Sequence, residues 1–148
     1  NRVVFVFTDK RIDETPEFTT HTLLTKQVIQ QLQEADNICT EALRNHNAYH
    51  KIAQMPVVLV PVDFPANDPT TFGYGYLEKK QCHPVLRSIC IRPFLSSDFM
   101  TGLPALPVRD IPLACIDEMV ERIGKEVYGI SNVMIDLTPK PPGTTEWE

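Results

Sequence analysis

Apolar positions change period several times along the chain, and each change marks an element. Val3 to Phe7 is a short β-branched and aromatic run, the pattern of a buried strand. After a turn around Asp13 to Pro16, the positions Leu24, Val28, Leu32, Ala35, Cys39 and Ala42 recur at spacings of three and four, which predicts an amphipathic helical region. Asp36-Asn37 is a point where one helix could stop and a second start, and His46-Asn47 closes the run. Gln54 then opens a continuous apolar strand over Met55 to Val62, whose Pro56 and Pro61 favour an edge or an irregular end.

Residues 63–84 carry Pro65, Pro69, Pro84, Gly73 and Gly75 with little periodicity and read as a long loop. Leu86 to Arg92 alternates, with Leu86, Ser88, Cys90 and Arg92 on one face and Arg87, Ile89 and Ile91 on the other. A second helix begins at about Asp110, which can cap it, with Pro112 in its first turn and Leu113, Ile116, Val120 and Ile123 as its core stripe. Gly124 or Gly129 ends it, and a strand precedes the tail. This order predicts an α+β, two-layer sandwich with helices on one face of a mostly antiparallel sheet. The sheet's other face would be open, a natural place for a homodimer contact.

Two ends of the chain look alike. The run from Asn1 to Thr8 aligns loosely with Ser131 to Thr138, so residues 1–10 read as the closing strand of an earlier copy of the same unit plus a linker, and 11–148 as the domain proper.

Composition narrows the function. At 148 residues, with 43% hydrophobic and 22% charged residues, one ordinary core is expected. A net charge of −5 with no clustered Lys and Arg argues against a nucleic-acid partner. No stretch approaches the roughly 18 apolar residues of a membrane span, so no membrane partner is expected. The 4 cysteines, Cys39, Cys82, Cys90 and Cys115, show no paired spacing, which fits free thiols in a reducing, cytoplasmic setting.

The candidate chemistry lies mostly in the tail, Lys140 to Glu148. Pro141-Pro142 stiffens the backbone, Gly143 permits a turn, and the segment can present Lys140 as a point charge, with Thr144, Thr145 and the Gly143 amide as donors, to a phosphate. The plainer reading is a packed C-terminus anchored by Trp147. Gln54 offers an amide donor and acceptor, though a strand-edge glutamine is often only that. Asp98 could hold a cation or cap a turn, and the second is the stronger reading. Cys39, His46 and His50 would approach one helical face, yet a fourth ligand is lacking and Asn47 disfavours helix there, so no metal is expected.

The tail, Lys140-Pro141-Pro142-Gly143-Thr144-Thr145-Glu146-Trp147-Glu148, resembles the C-terminus of glutamine-hydrolysing GMP synthases. The resemblance continues through Leu32 to Asp36, Tyr49 to Gln54, Val57 to Pro61, Ser97-Asp98-Phe99-Met100-Thr101, and Gly129 to Leu137, in order and over nearly the whole chain. It implies a C-terminal dimerisation domain at 11–148 that binds XMP, in an enzyme converting XMP, ATP and glutamine to GMP, AMP, pyrophosphate and glutamate. Implied XMP contacts are Lys140 for the phosphate, Gln54, and Glu146. Glu146 is a carboxylate that cannot favourably face a phosphate and so suits ribose hydroxyls or the orientation of Lys140.

No catalytic residue or cofactor is implied for the chain itself. ATP and magnesium belong to the whole enzyme, whose ATP pyrophosphatase and amidotransferase domains would be partners, together with a second copy in a homodimer. The family's Ser-Gly-Gly-x-Asp-Ser loop is absent, and its Gly-Asp-x-Arg loop is replaced by residues 63–84. Some family members, notably animal ones, carry a duplicated C-terminal unit, and the resemblance implies that this is the second copy, with the missing arginine loop supplied by the first. The competing reading is a purely structural dimerisation module with no substrate contact.

Overall fold

The computed structural model describes residues 4–7, 18–63, 86–98, 100–144 and 147. The 63–84 loop lies almost wholly outside them, as do Thr145, Glu146 and Cys82. Eight strands and two helices follow in the order β1 (Val4–Phe7), β2 (Phe18–Thr19), α1 (Lys26–Asn45), β3 (Val57–Val60), β4 (Val62–Asp63), β5 (Arg87–Ile91), β6 (Phe94–Leu95), β7 (Leu103–Pro104), α2 (Leu113–Glu126) and β8 (Ile130–Asp136). The main sheet runs β1-β8-β5-β3, antiparallel at both outer pairings and parallel between β5 and β8. An α+β domain with a largely antiparallel sheet is what the pattern predicted.

Helix α1 is one unbroken helix; Asn37 does not end it, and its side chain donates to Glu41 Oε1 one turn on, at 2.9 Å. Thr25 caps its start by accepting from Val28 N at 3.3 Å. At its end Asn47 takes a left-handed φ of 55°, Asn47 N donates to Arg44 O (3.1 Å), and Ala48 N donates to Leu43 O (2.8 Å). That is the paired-bond termination in which an Asn replaces the usual Gly. Leu24, placed in the core stripe by its spacing, precedes the helix and is 89% exposed. Gln31 is buried instead, because its amide donates to Tyr128 O at 2.6 Å.

Asp110 does not cap α2. Its carboxylate accepts from Leu106 N at 2.8 Å and from Arg109, and Pro112 occupies the cap position without a side-chain bond. Inside α2 the buried face is Cys115, Ile116, Met119 and Ile123, while Leu113 is exposed. Neither glycine stops the helix: Gly124 is buried within it, Val127 caps it, and Gly129 turns the chain into β8 with φ 80°.

Both helices pack on one face of the sheet, over Ile89, Ile91 and Val133, with Leu43, Ile111, Met119 and Ile123 fully buried between the layers. Each such side chain stabilises the fold by about 1.5–3 kcal/mol relative to exposure. The opposite face is not left open over its centre. Cys90, Met134 and Val60 are buried there, with Trp147 of the tail packed against them. All five residues of β5 and all seven of β8 are buried as a result.

The apolar run from Met55 to Val62 divides at Pro61. Its first part, β3, is an edge strand of the main sheet, and β4 pairs with β2. Strand β1 joins β8 in the register Val4↔Asp136, Phe5↔Ile135, Val6↔Met134. Under the correspondence of Asn1–Thr8 with Ser131–Thr138, Phe5 faces its own counterpart, and the two flanking pairs exchange with each other. The two look-alike strands therefore meet about a local twofold axis.

Candidate functional site

The tail is fastened at both ends. Lys140 and Gly102 exchange two backbone hydrogen bonds, Gly102 N to Lys140 O at 2.9 Å and Lys140 N to Gly102 O at 2.8 Å. Gly102 makes a close approach, since a Cβ there would lie 3.1 Å from Phe94 Cδ1 and the ring would have to shift to admit it. Farther along, Trp147 Nε1 donates to Asp136 Oδ2 at 2.5 Å, and Arg92 donates to Thr144 O. Trp147 thus has the anchoring place the sequence allowed it. Gly143 N donates to Pro139 O at 2.9 Å, so the amide expected to face a phosphate is spent inside the tail.

Under the tail lies a buried ion pair. Arg92 Nε is 2.9 Å from Asp136 Oδ2, and the guanidinium also sits 4.9 Å from the centre of the Phe94 ring. Burial pushes the Asp136 carboxyl up, but hydrogen bonds from the Thr138 side chain and amide, then Trp147 and the Arg92 charge, outweigh it and hold the group below its ordinary value.

Lys140 is half-buried and lines a pocket of about 440 Å³ together with Lys51, Ser96, Ser97 and Thr101. Gln54 is exposed and lines a different, smaller pocket of about 210 Å³ with Thr40 and Tyr49. The two are linked through one segment: Phe94 N donates to Gln54 O at 2.7 Å, and the Phe94 ring underlies Gly102, the partner of Lys140. They are neighbours through β6 but do not share a cavity. Glu146, the third expected contact, lies outside the described residues.

Asp98 takes the turn-capping role. Its Oδ1 accepts from Met100 N and Thr101 N, each at 2.9 Å, and Thr101 Oγ1 also donates to it. These bonds hold its carboxyl below the ordinary value and fix the loop that walls the larger pocket. Among the described residues no His, Cys, Asp and Glu cluster could hold a metal ion. Cys39 is fully buried, and His46 Nε2 lies 2.9 Å from Glu118 Oε2. Neither Lys51 nor Ser97 carries a residue-type signal that marks it as lining this pocket. Lys51 sits three residues before Gln54 in a segment whose polar spacing carries no phosphate-binding signature.

Residues 41–147 match the family model described as "GMP synthase C terminal domain". The chain belongs to that family. It is 40% identical over 99% of its length to "GMP synthase [glutamine-hydrolyzing]" of Dictyostelium discoideum and 41% identical over all of it to "Probable GMP synthase [glutamine-hydrolyzing]" of Caenorhabditis elegans. A GMP synthase of Francisella philomiragia is 37% identical over 83% of the chain. The chain spans 19–21% of the length of these relatives. No described helix is long and apolar enough to cross a membrane.

Proposed function

We propose that the chain is the XMP-gripping and subunit-pairing end of a GMP synthase, acting in the cytoplasm beside the amidotransferase and ATP pyrophosphatase domains of the same enzyme. Amidation itself, with ATP, magnesium and ammonia from glutamine, belongs to those other domains. Here the chain contributes binding and position: Lys140 places a charge on the XMP phosphate, Gln54 supplies a neutral donor and acceptor, and Glu146 accepts from ribose hydroxyls. Holding a reactant in place in this way is itself a large part of a rate enhancement.

The observation that carries this reading is the position of Lys140 at the wall of a roomy pocket, its backbone fixed by paired bonds to Gly102. Its volume lies within the range of small-molecule sites. The local twofold between β1 and β8 supports the pairing half of the reading, with residues 1–10 as the closing strand of a preceding unit and like units meeting edge to edge, as in a homodimer.

Replacing Lys140 by Ala in an intact synthase carrying this domain should weaken XMP binding by about 1.5–3 kcal/mol, the loss of one charge-assisted contact. Calorimetric titration with XMP, with IMP as the control for the base, measures it. Unchanged affinity would leave only the structural pairing role.

A further inference from the structure

We propose that the corner where Arg87 meets the lead-in to α1 docks a segment from elsewhere in the synthase, one that sets a carboxylate against Arg87 and apolar side chains against Leu23 and Leu24. The inference is independent of the XMP reading. Arg87 opens β5, whereas Gln54 lies beyond the other end of that strand, opposite Phe94, so the corner is remote from the pockets described above.

Arg87 is only 7% exposed, and both of its hydrogen bonds go to neutral acceptors: Nε donates to Thr22 Oγ1 at 2.9 Å and Nη1 to Gln31 Oε1 at 3.3 Å. No described carboxylate pairs with it, and burial alone moves its pKa, downward from the ordinary value. A guanidinium keeps its proton at any ordinary pH, so enclosing it without a countercharge is costly. Its Nη2 has no hydrogen-bond partner among the described residues and is not sealed off from the surface, so it can receive an anion.

The chain beside it is turned inside out. Thr20 Oγ1 donates to Leu86 O at 2.7 Å, and Thr22 Oγ1 accepts from Arg87 while donating to Thr20 O at 3.0 Å, so the threonines of this strap face the domain. Leu23 and Leu24, next in sequence, are left 62% and 89% exposed, and Ile29 in the first turn of α1 is exposed as well. That turn holds no acidic residue to answer the arginine. An arginine beside bare aliphatic side chains has the composition of an interface core.

A free inorganic anion would satisfy Arg87 and leave the leucines in water, and a wholly apolar segment would cover the leucines and enclose the cation further. One segment carrying both kinds of group avoids both penalties. The chain spans only 19–21% of the length of the relatives it matches, so most of a synthase is polypeptide able to supply that segment at high effective concentration.

Two substitutions in an intact synthase carrying this domain test the docking. Leu24→Cys should react with a bulky thiol reagent about tenfold more slowly in the native enzyme than in the denatured one, read by mass spectrometry at that site. Arg87→Lys, treated with a zero-length carbodiimide, should form an amide to an Asp or Glu outside residues 1–148. Native labelling of Leu24→Cys at the denatured rate would overturn the docking. Protection without a cross-link from Arg87→Lys would overturn the carboxylate, and a cross-link to an acid within residues 1–148, of the same or a second subunit, would overturn the assignment to the rest of the synthase. Prompt labelling together with thermal stabilisation by inorganic phosphate that disappears in Arg87→Gln would make Arg87 a free-anion site instead.

Discussion

Arg92 and Asp136 form an ion pair at 2.9 Å with both side chains fully shut off from solvent, on the sheet face that the tail covers. Burying two charges costs several kcal/mol each unless the remaining polar atoms are satisfied. Here Thr138 and Trp147 donate to Asp136, and Arg92 donates to Thr144 O. Arg92→Met removes the cation and leaves the carboxylate enclosed, so unfolding stability should drop by about 3–5 kcal/mol. Urea denaturation checks it, and a loss below about 1 kcal/mol would refute a structural role for the pair.

Acid should attack the same place. The folded Asp136 carboxyl is held below its unfolded value of about 3.9, so its contribution is fully present above that pH and is lost as pH falls through the lower folded value. Stability should therefore decline from about pH 4 downward, and less steeply in Asp136→Asn. Equal acid slopes for the two proteins, read from urea midpoints, would assign the acid sensitivity to other groups.

Trp147 is the only tryptophan, so its fluorescence reports the tail alone. Packed on Val60, Cys90 and Met134 and bonded to Asp136, it should emit at shorter wavelength than free tryptophan. Trp147→Ala should cost about 3 kcal/mol through lost packing and the lost donor. An unaltered melting temperature would argue against the anchor.

Thiol chemistry should be slow in the native state. Burial pushes the Cys115 thiol up to about 11, with the Glu118 charge adding to it, and burial raises Cys39 further. Neither supplies useful thiolate at pH 8. Reaction with a disulfide reagent should leave both unmodified until denaturant is added; prompt native-state labelling of Cys115, seen by mass spectrometry, would contradict its burial.

Much of the fold was legible because local patterns and tertiary burial agree. The helix periods and the alternation of Leu86 to Arg92 found their elements, and α1 stops where Asn47 can adopt a left-handed conformation. The misplacements share a cause. Leu24 and Leu113 obey the period yet lie outside the core, while Gln31 and Cys115 lie inside it. Which positions of a stripe are buried depends on where the neighbouring layer ends. Asp110 had the right type for a helix cap, but Arg109 and Leu106 N compete for the same carboxylate.

The sequence by itself determined the order of the two helices and the four main-sheet strands, the α+β class and the family, since periodicity and an ordered series of motifs are local properties of the chain, whereas the short strands β2, β4, β6 and β7 carry no such pattern. Tertiary structure decided that the tail closes over the second sheet face, that Arg92 and Asp136 meet beneath it, and that Lys51 joins Lys140 in one pocket. Each of those depends on hydrogen bonds between residues tens of positions apart, such as Gly102 with Lys140 and Ala53 with Phe94. No local pattern encodes a pairing of that kind, because its free energy exists only once both segments have been brought together by the core.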